Sequence, residues 1–410
     1  MTDDIEERLA ELRGRLLSYR ADRFPLEHAI TQFHLGTTLI EAGQPDAALT
    51  VLRTCAGLFE REGMPVEQAK ALNMFGAALR TAGRVDEAAD TFERAGQLFE
   101  AHSQPLERGA ALFNLGLVRR DLGDLDAAGK CFQQAGELFE DGRRLAQASA
   151  AARELGTTEF AAGRLDTARP ALAQALELAE RAGDHAGLGA AANPLGLVEL
   201  ALGHTDEAVA AFQHALGANP RTLRAEGYSM AKANLALAYE QGGAAARARL
   251  AARQALSTPA APVPVREQAT AVLTRLGDGP GDLLTVLDEE PQERWPAVIR
   301  EELLRWLDAE ADERQAESGA WVEGVLARTG VSIELAYAWL EVLLELPPDA
   351  METLIRSTIE SLRGRDREPV EHFRDHVGRA MARFHVPQWE RLRETFNRLA
   401  SELGEEPAWV

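Results

Sequence analysis

Glycine returns every 40 residues along this chain. Gly36, Gly76, Gly116, Gly156 and Gly196 share one phase, and Ala236, the next smallest residue, holds the sixth slot. Gly43, Gly83, Gly123, Gly163, Gly203 and Gly243 form a second unbroken series. Asp46, Asp86, Asp126, Asp166 and Asp206 follow, then Ala48, Ala88, Ala128, Ala168, Ala208 and Ala248. Several series in phase over six cycles specify an array of one repeated unit, in which each copy buries its apolar face against its neighbours.

Each series has a mechanical meaning. Leu35, Phe75, Leu115, Leu155, Leu195 and Leu235 precede the first glycine and belong to the apolar stripe of a first helix, helix A. The first glycine lets helix B approach closely. The second supplies the left-handed residue that ends helix A. The aspartate falls in the first turn of helix B, where it complements the helix dipole. Leu52, Phe92, Phe132, Leu172 and Phe212 fill the space one turn later, and Pro25, Pro65 and Pro105 mark first helical positions.

The order Phe75-Gly76, Gly83, Ala88, Phe92, Ala95 resembles the tetratricopeptide repeat family, whose pattern is Leu-Gly, Gly, Ala-x-x-x-Phe, Ala. That family's usual unit is 34 residues. The 40-residue unit implies helices longer by about a turn, as in kinesin-light-chain-like and Rap-like members, and Leu58-Phe59-Glu60, Leu98-Phe99-Glu100 and Leu138-Phe139-Glu140 supply the excess. The resemblance implies an all-α, right-handed solenoid of six repeats over residues 25–257. It also implies a protein or peptide partner in the concave groove lined by helix A. Matching positions put Lys70, Asn73, Arg80, Asn114, Arg120, Arg153, Asn193 and Asn234 on that surface. Arg80 and Arg120, one repeat apart, would stack as a basic ladder. Asn73 and Asn114, like Asn193 and Asn234, are one repeat plus one residue apart, and an amide side chain pairs both ways with a peptide backbone. The family's full carboxylate clamp of Lys and Asn is not reproduced.

The edges of the array read differently. Within residues 1–24, an amphipathic helix with Leu9, Leu12, Leu16 and Leu17 on one side serves as the cap a solenoid needs. Repeat six is degenerate, with Ala246 for the aspartate and Ala252 for the large apolar residue. Residues 258–282 hold a vestigial seventh unit ending at Gly277, then the linker Asp278-Gly279-Pro280-Gly281-Asp282. Beyond it, residues 283–410 form an acidic helical domain with helices expected around 294–309, 312–328, 332–346, 349–363, 369–384 and 388–403. All six Trp residues lie there, which points to a helical bundle with a Trp-rich core. By analogy, such an added domain sets partner choice or homo-oligomerisation.

Composition narrows the function. The formal charge of −21 argues against nucleic acid or an anionic membrane as partner. No run of about 18 apolar residues exists to span a bilayer. The N-terminus is acidic where a signal peptide is basic, and the lone Cys55 and Cys131 fit a reducing cytoplasm. The Arg- and Ala-rich usage fits a bacterial, high-GC source. His372 and His376, four apart on one helix face with Glu371 or Asp375 nearby and His385 as a third candidate, are the one metal constellation, though surface histidines are the simpler expectation. Pro194 should kink a helix A. The tail Gly404–Val410 is either free or an acidic ligand for Arg80 and Arg120. With no phosphate loop, nucleophile elbow or Cys/His cluster, no cofactor or catalytic residue is expected. The expected function is an interaction scaffold or adaptor. The alternative is an enzyme, or catalytic accessory, with a site between the solenoid and the C-terminal helical domain.

Overall fold

The computed structural model of the chain describes residues 2–259, 261–277, 281–406 and 409. Every regular element among them is helical, and the chain divides into two compact units, Met1–His204 and Thr205–Val410. The division falls inside the fifth repeat.

The first unit begins with α1 (Thr2–Ser18). Four helical hairpins follow: α2 (Pro25–Glu41) with α3 (Pro45–Arg61), α4 (Pro65–Thr81) with α5 (Val85–Ala101), α6 (Pro105–Asp121) with α7 (Leu125–Asp141), and α8 (Leu145–Ala161) with α9 (Leu165–Ala182). It ends in α10 (His185–Ala201). Two 17-residue helices joined by three-residue links fill the period, which is where the extra length over the shorter family unit goes. Pro25, Pro65 and Pro105 open their helices. Gly43, Gly83, Gly123, Gly163 and Gly203 take left-handed φ values of 70–81°. The links from helix B to the next helix A use the same turn, at Gly63, Ser103, Arg143 and Gly183, and no glycine series announces it.

Glycine in the middle of helix A is a packing requirement. A Cβ on Gly36 would lie 2.4 Å from Leu52 Cγ, on Gly116 2.7 Å from Phe132 Cε1, and on Gly156 2.5 Å from Leu172 Cγ. The cap helix buries Leu9 and Leu12 against the cluster of Leu35 and Leu39. Leu17, expected on that face, is 82% exposed. Both α9 and α10 continue through internal prolines, Pro170 and Pro194, so the expected disturbance at Pro194 does not end the helix.

Cys55 is fully buried and its thiol donates to the Ala29 carbonyl at 3.2 Å. Burial pushes that thiol up to about 12, so almost none is thiolate at neutral pH. Iodoacetamide at pH 7.5 should therefore leave Cys55 unmodified in the folded chain and label it fully in denaturant, as read by peptide mass mapping.

The second unit completes the array with α11 (Thr205–Ala218), α12 (Ala225–Gln241), α13 (Ala245–Leu256) and α14 (Val263–Leu276), the last packing on both helices before it as a lone seventh helix A. Then come α15 (Asp282–Glu289), a 3-10 turn at Gln292–Arg294, α16 (Trp295–Asp308), α17 (Ala311–Ala327), α18 (Ser332–Glu345), α19 (Pro348–Leu362), α20 (Arg367–Met381) and α21 (Val386–Glu402). The last six match the expected spans closely, and α15 has no counterpart among them. Of the expected linker, residues 278–280 lie outside the described residues. Asp282 is 5% exposed and is held by Arg249 and Arg253 of the sixth repeat. Arg253 also reaches Glu317 at 2.9 Å, and Gln254 donates to Glu302 at 2.7 Å. This buried polar network fastens the end of the array to α15, α16 and α17, so the two parts share one compact unit.

The C-terminal helices pack chiefly on next-but-one neighbours: α16 on α18, α17 on α19, α18 on α20 and α19 on α21. Extended residues at the corners (Glu310, Pro347, Asp366 and His385, with ψ near 150°) redirect the chain between them. Trp306, Trp321, Trp339 and Trp409 are buried in their common core with Phe373 and Phe396. Trp409 corrects the expectation of a free or groove-bound tail. Its ring lies 4.7 Å from that of Phe396, and its backbone N–H donates to Asn397 Oδ1 at 3.0 Å. Pro407, Ala408 and Val410 lie outside the described residues.

Candidate functional site

The expected groove residues sit on four helices A of the first unit and one of the second. Lys70, Asn73 and Arg80 are on α4, Asn114 and Arg120 on α6, Arg153 on α8, Asn193 on α10 and Asn234 on α12. Lys70 is exposed, the Asn193 and Asn234 side chains are buried, and the other five are half-buried. Asn234 accepts from Gln268 at 2.8 Å, which turns it toward α14.

Consecutive repeats are stitched by these side chains. Asn114 Nδ2 donates to Asn73 Oδ1 at 3.2 Å. Arg80 Nε donates to Asp121 at 2.6 Å. Arg120 pairs with Glu154, which Arg153 also holds at 2.8 Å. The arginines are therefore not an uncompensated basic ladder. Each is met by a carboxylate from the following repeat, because like charges stacked alone would repel while an adjacent acid lowers the energy of both. Neither acid, Asp121 or Glu154, is among the expected groove residues. Glu154 is only 7% exposed, and its sole signal is an acid on helix A where the preceding repeat has Asn114. The amide pair still leaves the Asn73 N–H groups and the Asn114 oxygen to offer a peptide backbone.

A cavity of about 740 Å³, which the repeat pattern does not announce, lies between α7, α8 and α9. Gly129, Gly136 and Pro170, all unfavourable inside helices, line it. Its polar rim is self-paired, with Arg164 on Glu159 and Asp126 and with Gln174 on Glu140.

The histidine pair lies on α20. His372 is exposed, and burial lowers the pKa of His376, whose Nδ1 has no hydrogen-bond partner. Both neighbouring carboxylates are taken, Glu371 by Arg367 and Asp375 by Arg379. Among the described residues no three ligating side chains gather.

Family models described as tetratricopeptide repeat match residues 33–102, 109–141, 147–220 and 193–263. Among solved structures, BtubC (BKLC) from P. vanneervenii aligns with a TM-score of 0.48 at 20% identity, covering 52% of this chain and 90% of that one. The Cut9–Hcn1 hetero-tetramer of the APC/C aligns at 0.47 and 19% identity, covering 65% and 46% respectively. YrrB, described as a TPR protein with an unusual peptide-binding site, aligns at 0.36 and 19% identity, covering 50% and 91%. No curated protein sequence matches the chain.

Proposed function

The chain belongs to the tetratricopeptide repeat family, and from that premise we propose that it is an interaction scaffold which holds an extended segment of a protein partner along helices A of repeats two to four. The observation that supports this reading is the amide pair Asn73–Asn114, set across adjacent repeats beside the Arg80–Asp121 ion pair. Such a row is preorganised. The side chains hold one another in place before a ligand arrives, so binding loses less rotamer freedom. Donors and acceptors left over on the amides suit a backbone, and Lys70 offers one exposed cation for an acidic side chain of the guest.

The test is a random-peptide display library selected on the intact chain, with winners re-measured on Asn73→Ala/Asn114→Ala. A loss of at least about tenfold in affinity, with the circular dichroism spectrum unchanged, is expected when two backbone hydrogen bonds vanish. Winners that bind the double variant as well as the intact chain would remove the helix A face from consideration.

A further inference from the structure

The sixth repeat departs from its predecessors where it matters for packing. Positions forty residues apart hold Gln32, Leu72, Leu112, Ala152 and Ala192, none of them charged, and then Lys232. The Lys232 side chain is only 5% exposed. A buried ammonium is costly unless matched by charge. Here it is matched from outside the repeat. Glu301 of α16 lies 2.5 Å from Lys232 Nζ, and the Tyr228 ring lies 5.5 Å away.

A cavity of about 660 Å³ lies at this point, walled by α11, α12 and α13 on one side and α15 and α16 on the other. That volume falls within the ordinary range for small-molecule sites, about 300–1,000 Å³. Leu216, Leu235, Leu250, Val286, Val298 and Leu304 provide apolar walls. The cations nearer the rim are already engaged, Arg247 by Glu289 and Glu290 and Arg221 by Asp308. Lys232 is the cation seated deepest. Its partner Glu301 has a side chain 43% exposed, so this carboxylate can swing into water with little loss of solvation.

We propose that this cavity binds an apolar-bodied monocarboxylate, whose carboxylate replaces that of Glu301 on Lys232 while its hydrocarbon body lies against the leucine and valine walls. Glu301 then acts as a tethered stand-in that keeps the ammonium paired when the site is empty. The proposal is independent of the helix A face of repeats two to four and would survive its failure.

The test uses the full chain in calorimetric titrations with two probes, decanoate and 2-naphthoate, each against its uncharged alcohol. Saturable binding of at least one acid, at least about tenfold tighter than the alcohol, is expected. Lys232→Met should erase that preference while leaving helix content intact. Glu301→Gln should strengthen acid binding several-fold, because it removes the competing carboxylate, and that gain is something a merely structural ion pair would not produce. Binding of neither acid, equal binding of acid and alcohol, or an unchanged preference in Lys232→Met would each overturn the proposal.

Discussion

Arg305→Leu lowers the stability of the second unit by about 3–5 kcal/mol, the range for breaking a buried ion pair from one side. The Arg305 side chain is 2% exposed and bonds Glu302 at 2.9 Å, Glu313 at 2.6 Å and Glu317 at 2.5 Å. Burial alone would lower the pKa of its guanidinium, yet Glu302 and Glu317 together hold it above its ordinary value. Leucine keeps the packing volume but leaves two carboxylates buried without their shared cation. Glu317 would retain Arg253, and Glu302 only the amide of Gln254.

The measurement is urea unfolding followed by Trp fluorescence, which reports this unit alone because every Trp lies between Trp295 and Trp409. A loss below about 1 kcal/mol would put this network in the class of surface pairs and leave the union of α13 with α15–α17 to apolar packing.

Gly156→Val destabilises the first unit by about 2 kcal/mol, as overpacking of a close helix crossing does. The first added carbon already meets Leu172 Cγ at 2.5 Å and the Ala168 carbonyl oxygen at 3.1 Å. Leu172 has no exposed surface and therefore no room to retreat, and a backbone oxygen cannot turn aside as a side chain does. Valine's better helix propensity recovers only a few tenths of a kcal/mol of this. Far-UV circular dichroism during urea unfolding reads the effect, since the first unit contains no Trp. Gly96→Val is the control. That glycine lies in α5 with nothing within 4 Å of the added carbon, so it should cost far less. Equal effects at the two positions would mean that glycine at 156 reflects composition and not contact.

What the sequence determined was whatever recurs. A period of 40 residues placed helices A and B, their glycine turns and the close crossings at Gly36, Gly76, Gly116 and Gly156, and ordinary helical periodicity placed the Trp-rich C-terminal helices, because each follows from local rules applied repeatedly. Tertiary structure decided what happens once. Arg120 acquires Glu154 across a spacing that is not the period, and Arg80 acquires Asp121, so a row read as basic is electrically balanced. Lys232, an outlier in a degenerate repeat, becomes a buried cation only because α16 brings Glu301 to it. Asp282, which reads as part of a linker, is drawn inward by Arg249 and Arg253. Trp409 turns back onto Phe373 and Phe396. The physical reason is common to all four. A charge or an aromatic ring carries a large energy that depends on what lies within about 4–6 Å, and for residues far apart in the chain that neighbour is set by the packing of whole helices and not by any local pattern.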